Sequence, residues 1–374
     1  MPAPSSGGRP RRLPPLMGRA RNLVRAALAD ADVPPGPADA NDGPAPLVLV
    51  ACSGGPDSLA LAAAAAFFQR RGDYRVGAVV VDHGLQPGSG EAAAQAAAQL
   101  RGLGLDPVLV SAVQVAGSGE GPEAAARTAR YGALEAAAED LGAAAVLLGH
   151  TLDDQAEQVL LGLARGSGTR SLAGMPERRG RYLRPFLPLR RAETLELCSI
   201  AGLEPWHDPT NLDPAFARSR VRAVVLPFLE EQLGPGIAEA LYRSARILGQ
   251  DAAHLDAEAA EAFARLRSDL PADAGAPAAV LLPEDALRAL DPALRQRVLA
   301  LAAVAAGGAG PSFERLLAAE SLLRRTGSAG PVQLGGKVEV YRQVRGRPVA
   351  HGKPSCGNLV FRKSRSTPPP AANS

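Results

Sequence analysis

Four short apolar runs recur along the first 150 residues, separated by longer alanine-rich segments. The runs have strand length and no internal charge, and they cover 47–51, 76–81, 107–113 and 144–148. The segments between them, 58–69, 90–103 and 122–141, are long enough for helices. Continuous apolar strands that alternate with helices at intervals of about 30 residues are typical of a parallel sheet covered on both faces. The pattern therefore predicts an α/β fold with helices on both faces of a parallel sheet.

A different pattern begins near residue 227, where helical spacing replaces the strand-length runs. Helices are predicted over 237–248, continuing toward 267, and over 283–290, 292–304 and 313–325. A hairpin is predicted around Gly335 and Gly336. The predicted organisation is a disordered tail over 1–15, the α/β domain over 16–226, a smaller helical domain over 227–328, a short β extension over 329–352 and a disordered tail over 353–374.

Composition narrows the class of protein further. The chain has 374 residues and a net charge of +3, and its positive charge comes almost entirely from arginine. Cys52, Cys198 and Cys356 are odd in number and far apart, which predicts neither a disulfide framework nor a paired metal motif and fits a reducing cytoplasm. No uninterrupted apolar run approaches about 18 residues, so we expect no membrane association.

The segment SGGPDS, residues 53 to 58, interrupts the passage from the first strand to the next helix. Glycines before a helix N-terminus let unpaired backbone N–H groups approach an anion, which favours a phosphate loop. The segment lacks the lysine of the common P-loop and does not match G-x-G-x-x-G. The alternative is an ordinary turn in which Asp57 or Ser58 is the helix N-cap.

Polar residues follow two further strands of the predicted sheet. Asp82 and His83 come after the second strand, and Gly149 and His150 after the fourth. Ligands of such sheets bind at the carboxyl ends of the strands, so these residues are candidates for one site with the loop. A capping or turn role is the alternative for the Asp-His pair.

Two carboxylates share one face of the helix that follows His150. We expect Asp153 to cap this helix, and the i, i+3 spacing puts Asp154 and Glu157 on the same face. Acidic residues in a first turn are also what the helix dipole alone favours. The functional alternative is an anionic pocket for an amine or for magnesium.

Arginines recur in three segments downstream of the loop. They are Arg127 and Arg130 before Tyr131, Arg165 and Arg170 in a glycine-rich turn, and Arg218, Arg220 and Arg222. Guanidinium groups suit phosphate recognition. Ordinary surface ion pairs and an amphipathic helix that joins two domains are the alternatives.

These motifs together resemble a known family. SGGPDS resembles the signature of the PP-loop, or N-type, ATP pyrophosphatases, with an adenine-nucleotide alpha-hydrolase-like fold, and GHTLDDQAEQ with the arginine segments resembles the tRNA(Ile)-lysidine synthase family within it. The resemblance covers roughly residues 20 to 226 and is weak beyond. Gln86, Thr151 and Ser219 depart from the family pattern. The role of position 86 stays open, we assign no chemistry to position 151, and the change at position 219 is a mild departure.

The resemblance implies roles for named residues. It implies a catalytic group, an ATP-binding group and a tRNA-binding group, with Asp57 also the candidate ligand of Mg²⁺. The catalytic group is Asp57, His150, Asp154 and Glu157, and the ATP-binding group is Ser53, Gly54, Gly55, Pro56, Asp57, Ser58, Asp82, His83, Gly149 and Arg127. The tRNA-binding group is Arg130, Arg165, Arg170, Arg218, Arg220 and Arg222.

The activity that the resemblance implies is ATP-dependent ligation of free L-lysine to C2 of the wobble cytidine of the isoleucine tRNA with a CAU anticodon. ATP is split to AMP and pyrophosphate through an adenylated tRNA, and the modified tRNA reads AUA in place of AUG. A PP-loop tRNA thiolase, a small-molecule amide-forming synthetase and a non-catalytic RNA-binding module are the alternatives. The sequence leaves the oligomeric state open, a homodimer included.

Overall fold

The computed structural model describes residues 13–36, 43–82, 84, 88–113, 122–208, 213, 215–270, 278–324, 329–343 and 357–364. The chain forms two compact units, Met1–Gly249 and Gln250–Ser374. The first unit extends beyond the predicted boundary at residue 226. The reason is packing, because Ala238 and Tyr242 are buried in one core cluster with Leu152.

A six-stranded sheet forms the centre of the first unit. Its strands are β1 Leu47–Cys52, β2 Arg75–Asp82, β3 Val108–Ala112, β4 Ala145–Leu148, β5 Arg178–Arg179 and β6 Tyr182–Leu183. Their order is β3-β2-β1-β4-β6-β5, and every neighbouring pair is parallel except β5 with β6. The predicted parallel sheet is confirmed.

Helices cover both faces of this sheet. The helices of this part of the chain are α1 Pro15–Asp30, α2 Pro56–Arg71, α3 Ser89–Gly102, α4 Pro122–Asp140, α5 Leu152–Ala164, α6 Thr169–Leu172, α7 Arg191–Ala201, α8 Ala217–Arg220, α9 Leu226–Leu233 and α10 Ile237–Leu266, which continues into the second unit, with a π-helical turn Val221–Val225 between α8 and α9. Side chains alternate along β1. Val48 and Val50 pack in a core with α1, α2, α3 and α7, whereas Leu47 and Leu49 pack in a second core with α4. Both faces of β1 are therefore buried.

The strand order creates a crevice at the carboxyl edge of the sheet. β1 lies between β2 and β4, and the chain leaves β1 toward β2 but returns to β4 on the other side. Connections that diverge from neighbouring parallel strands leave room for a ligand between them. The segments that follow β1 and β4 carry most of the predicted site residues.

The second unit combines helices with an antiparallel sheet. Its elements are β7 Ser268–Leu270, β8 Ala279–Pro283, α11 Glu284–Ala289, α12 Pro292–Ala305, α13 Phe313–Ser321, a 3-10 turn Leu322–Arg324, β9 Val332–Leu334, β10 Val338–Arg342 and β11 Asn358–Lys363. The sheet order is β7-β8-β11-β10-β9. The predicted helices and the predicted hairpin, β9 with β10, are present. The unit also contains strands β7, β8 and β11, which the sequence did not predict.

Two predictions about the chain ends can be compared with the structure. Strand β11 lies inside 353–374, so the prediction of disorder is wrong for residues 358–363, which are tied by backbone pairing to β8 and β10. The predicted tail over 1–15 lies outside the described residues up to residue 12, and α1 already begins at Pro15. Among the described helices, none is long and apolar enough to cross a membrane.

Candidate active site

The predicted phosphate loop lies between the end of β1 and the first turn of α2. Gly55 is the N-cap residue and Pro56 begins the helix. The alternative in which Asp57 or Ser58 caps the helix is therefore wrong, because both lie inside its first turn. The Ser58 hydroxyl donates to the Gly55 carbonyl oxygen (3.0 Å) and accepts from the Ser53 N–H (3.2 Å). Ser58 thus holds the loop in shape, whereas its contact with pyrophosphate stays a prediction.

Two glycines allow the backbone to pass close to this loop. Gly54 has a φ of +80°, which L side chains rarely adopt, and its carbonyl oxygen accepts a hydrogen bond from the Trp206 N–H (2.9 Å). Gly149 follows β4, and a Cβ added there would lie 2.9 Å from the backbone nitrogen of Ser58. The end of β4 at Gly149 therefore lies against the first turn of α2, whereas the ATP-binding roles of Gly54 and Gly149 stay predictions.

Asp57 is a largely buried carboxylate at the start of α2. It accepts a hydrogen bond from the Thr194 hydroxyl (2.5 Å), and its Oδ2 lies 3.5 Å from Arg191 Nε. Burial raises the pKa of Asp57 to about 6, with Arg191 opposing the shift and Asp154 adding to it. A cation bound at Asp57 would stabilise the charged carboxylate and offset the cost of its burial.

Helix α5 begins differently from the prediction. Thr151 is the N-cap residue, and its N–H and hydroxyl both donate to Asp154 Oδ2 (2.8 and 3.0 Å). The prediction that Asp153 caps this helix is wrong, because its Oδ2 accepts the backbone N–H of Arg191 instead (2.7 Å). Burial disfavours the charged form of Asp154, but Arg191 and Arg218 outweigh it and hold the pKa of Asp154 below its ordinary value.

Glu157, one turn later on α5, is completely buried among arginines. Its carboxylate lies 2.8 Å from Arg218 Nε and 2.7 Å from Arg222 Nε. The prediction placed both arginines against tRNA phosphate. In the structure their guanidinium groups already pair with carboxylates, so we carry no phosphate role forward for Arg218 and Arg222. Asp154 and Glu157 share one face, as predicted.

Arg191, which the sequence did not predict, contacts both Asp57 of the loop and the two carboxylates of α5. Its Nε lies 3.5 Å from Asp57, its Nη2 3.0 Å from Asp154 and its Nη1 3.5 Å from Glu157. Each nitrogen of one guanidinium thus faces a different carboxylate. The first turn of α2 and the first turns of α5 are held together through a residue of α7.

A sequence signal for Arg191 exists. Arg190 and Arg191 open α7, and the positive end of a helix dipole disfavours cations at that position. Arg190 lies 3.4 Å from Asp153 of α5. Two adjacent arginines in an unfavourable local position indicate carboxylate partners elsewhere in the fold.

His150 lies between β4 and α5, at the carboxyl edge of the sheet. Burial lowers the pKa of His150 to about 4; Asp154 opposes this shift, and Arg184 and Arg218 add to it. Arg184, also missed by the sequence reasoning, is 3% exposed and directly follows β6. Its Nη1 donates to the Pro176 carbonyl oxygen (2.9 Å).

The remaining predicted ATP contacts lie on neighbouring elements. Asp82 ends β2, beside β1, and its Oδ1 accepts the Gly84 N–H (3.0 Å). His83 lies outside the described residues. Arg127 is exposed on α4, and its guanidinium carbon lies 5.1 Å from the ring centre of Tyr131. The ATP roles of these three residues stay predictions.

The other predicted tRNA contacts are exposed. They are Arg130 on α4, Arg165 at the end of α5, Arg170 on α6 and Arg220 on α8. Arg220 also donates to the Ala215 carbonyl oxygen (2.9 Å). Exposed guanidinium groups on four elements of one unit suit contacts with an extended polyanion.

The donor set agrees with magnesium held jointly by protein and phosphate. Within the described ranges, no three His, Cys, Asp or Glu side chains are grouped so as to hold a metal ion. Mg²⁺ is commonly bound by one or two carboxylates together with substrate phosphates. Asp57 is the carboxylate of the loop, and Gly54 and Gly55 leave backbone there without side chains. The residues present fit a magnesium–phosphate group better than a metal bound by protein alone.

Comparison with known proteins gives consistent matches. Residues 38–229 match the family model described as the PP-loop domain, and residues 282–347 match the TilS substrate binding domain. Proteins named tRNA(Ile)-lysidine synthase are similar to most of the chain. Those of Leifsonia xyli subsp. xyli, Thermobifida fusca and Streptomyces coelicolor are 54%, 54% and 51% identical.

The coverage is nearly complete in both directions. The three matches span 86%, 79% and 80% of this chain and 97%, 84% and 84% of the respective relatives. The shared name of these relatives does not favour the thiolase, synthetase or non-catalytic alternatives. The loop and the paired carboxylates of α5 lie within the first matched region, and part of the second unit lies within the other. The chain belongs to the tRNA(Ile)-lysidine synthase family.

Proposed function

We propose that this protein ligates free L-lysine to C2 of the wobble cytidine in the isoleucine tRNA with a CAU anticodon, at the expense of ATP. The observation that carries the proposal is the link between two acidic groups. Arg191 contacts Asp57 of the phosphate loop and also Asp154 and Glu157 of α5. A phosphate site and an amine site therefore lie within the reach of one guanidinium group.

The residues of this chain bind and orient the reactants. The loop amides hold the phosphates, Asp57 binds Mg²⁺, and Asp154 and Glu157 receive the lysine ammonium group. ATP supplies the AMP group that makes the C2 oxygen a good leaving group. The ammonium group first gives one proton to the carboxylate pair, which leaves a lone pair on the nitrogen. When this nitrogen bonds to C2, the C2–O bond breaks, AMP leaves with that oxygen, and the nitrogen loses a second proton to water. Positioning and charge neutralisation account for the catalysis in this proposal.

Two features support tRNA as the partner. Residues 282–347 match a substrate-binding domain, and exposed arginines lie on the first unit. An anticodon base is readily splayed from its loop, which suits an enzyme that modifies a base. We also propose a cytoplasmic location, because Cys52 and Cys198 are buried free thiols of the kind that reducing compartments maintain.

The deciding experiment offers radiolabelled lysine, ATP and a transcript of the CAU-anticodon isoleucine tRNA. We expect label in this tRNA and release of AMP and pyrophosphate in equal amounts. The initiator methionine tRNA, which has the same anticodon, is the control and should stay unlabelled. Absence of label in the isoleucine tRNA would contradict the activity, and equal labelling of both would contradict the substrate specificity.

A further inference from the structure

Two buried polar atoms at the carboxyl edge of the sheet lack hydrogen-bond partners among the described residues. They are Nδ1 of His150 and Nε of Arg184. A buried donor or acceptor without a partner is costly, and native structures rarely retain one without reason. A ligand that pairs with both atoms would remove this cost.

The two side chains belong to one wall of the crevice. His150 follows β4 and Arg184 follows β6, and these strands are parallel neighbours with Leu147 opposite Leu183. Arg184 therefore comes level with Leu148, two residues before His150. The Arg184 guanidinium is close enough to disfavour protonation of His150.

Arg184 has a buried donor, Nε, without a partner among the described residues. Its Nη1 donates to the Pro176 carbonyl oxygen (2.9 Å) and its Nη2 to the Tyr131 hydroxyl (3.4 Å). These two bonds hold the guanidinium in place and engage one N–H of Nη1 and one N–H of Nη2. Recognition of phosphate by arginine typically uses two parallel N–H groups, whereas the nitrogen without any partner here is Nε, whose single N–H pairs with one acceptor.

His150 supplies an acceptor beside that donor. Its low pKa means that the imidazole is neutral near pH 7, and a neutral imidazole accepts at one nitrogen and donates at the other. In the tautomer with the proton on Nε2, Nδ1 is an acceptor. His150 Nδ1 and Arg184 Nε thus offer one acceptor and one donor at the ends of neighbouring strands.

We propose that His150 and Arg184 hold the Watson–Crick edge of the target cytosine. His150 Nδ1 accepts from the exocyclic amine at C4, and Arg184 Nε–H donates to N3. Uracil presents a carbonyl oxygen and an N–H at these two positions, so neither hydrogen bond could form. The pair therefore selects cytosine over uracil; this inference rests on the proposed function.

The strand order favours cytosine over the adenine of ATP as the occupant. Adenine has a similar edge, an amine beside a ring nitrogen. The target C2 must lie between the phosphate loop after β1 and the carboxylates of α5, which follows β4. His150 and Arg184 lie on that side of β1, whereas Asp82, the predicted nucleoside contact, lies on the β2 side.

The test compares three transcripts of the isoleucine tRNA that differ only at the wobble base. The first carries cytosine, the second pyrimidin-2-one, which lacks the exocyclic amine, and the third 3-deazacytosine, which lacks the N3 acceptor. Single-turnover lysine transfer is measured for wild type, His150→Phe and Arg184→Lys. For variants that are too slow to turn over, fluorescence anisotropy of labelled transcripts, with ATP and without lysine, measures the dissociation constant of each transcript. The ratios of these constants then replace the ratios of transfer rates.

The expected pattern pairs each variant with one analogue. Wild type should prefer cytosine about tenfold or more over each analogue, as for removal of one buried hydrogen bond. His150→Phe should equalise cytosine and pyrimidin-2-one but keep the preference over 3-deazacytosine. Arg184→Lys should show the reverse. Arg179→Lys, an exposed arginine of β5 near Arg184, is the control and should keep both preferences.

Two results would overturn the inference. One is that both variants keep both preferences of the wild type. The other is that they raise the half-saturating ATP concentration tenfold without altering either preference, which would assign the wall to adenine. Lysine transfer by wild type to the cytosine transcript tests the proposed function separately, because it does not depend on the ratios.

Discussion

At the scale of single residues, Asp57 lies in the phosphate loop, and its burial disfavours the charged form of its carboxyl group. Its carboxyl group is buried beside Thr194 and Arg191, and burial raises its pKa from 3.8 to about 6. A folded state that raises the pKa of an acid binds a proton that the unfolded chain does not. The charged form therefore lowers stability, which is a common feature of active sites.

Replacing Asp57 by Asn should slow lysine transfer and increase the stability of the fold. The folded protein retains the Asp57 proton between about pH 4 and pH 6 while the unfolded chain loses it, so wild type loses stability relative to the variant across that window. Above it, we expect Asp57→Asn to be more stable by about 2 kcal/mol. Urea unfolding at about pH 4 and pH 8 measures the difference.

The same variant should transfer lysine at least about a hundredfold more slowly than wild type, with tRNA affinity nearly unchanged. Glu196→Gln, on the exposed face of α7, is the matched control and should alter neither property. Weaker tRNA binding by Asp57→Asn would mean that its role in the loop is misassigned.

At the scale of elements, the site depends on close packing between the end of β4 and α2. A Cβ at Gly149 would lie 2.9 Å from backbone atoms of Asp57 and Ser58. We expect Gly149→Ala to lower the free energy of unfolding by about 1–3 kcal/mol and to reduce lysine transfer, because the loop must move. Gly132→Ala in α4, where the added Cβ meets nothing within 4 Å, should instead stabilise by about 0.5–1 kcal/mol. Thermal unfolding and transfer assays of both variants separate the two effects.

Helix α7 joins the other two elements through Arg191. Removing its guanidinium in Arg191→Met should raise the half-saturating concentrations of both ATP and lysine by about tenfold or more, since it contacts Asp57 and Asp154 together. Arg19→Met removes a half-exposed partner of Glu193 on the same helix and should change neither. A rise for one substrate alone would contradict the coupling of the two sites through Arg191.

Local sequence patterns predicted the long elements and missed the short or remote ones. Strands β1, β2 and β4 were predictable because each is a continuous apolar run between turn residues. Strand β6 has two residues, so Arg184 gave no signal of its position after a strand. Strand β11 pairs with β8, about eighty residues earlier in the chain, and no local pattern reports such a pairing. The loop and the α5 carboxylates were predicted, but their arginine partners were not, because those contacts join distant segments.

At the scale of the whole molecule, exposed arginines on four elements predict an electrostatic contribution to tRNA binding. Replacing Arg130, Arg165, Arg170 and Arg220 by Gln should weaken binding and flatten its dependence on salt. The slope of log affinity against log salt should fall by roughly 0.7–0.9 for each phosphate that the variant no longer neutralises. Arg75→Gln, at the amino end of β2 and thus at the opposite edge of the sheet, should leave the slope unchanged. An unchanged slope in the fourfold variant would place the phosphate contacts elsewhere.

The ion-pair cluster has a consequence for the order in which the protein meets its substrates. Three carboxylates and three guanidinium groups balance one another there: Asp57, Asp154 and Glu157 against Arg191, Arg218 and Arg222. A lysine ammonium group enters this balanced cluster as a seventh charge, so the cluster with lysine bound carries an excess positive charge that favours an anion nearby. Phosphate is the anion that the other substrates bring. Lysine and the phosphate-bearing substrates should therefore bind with positive cooperativity, each lowering the dissociation constant of the other by the same factor.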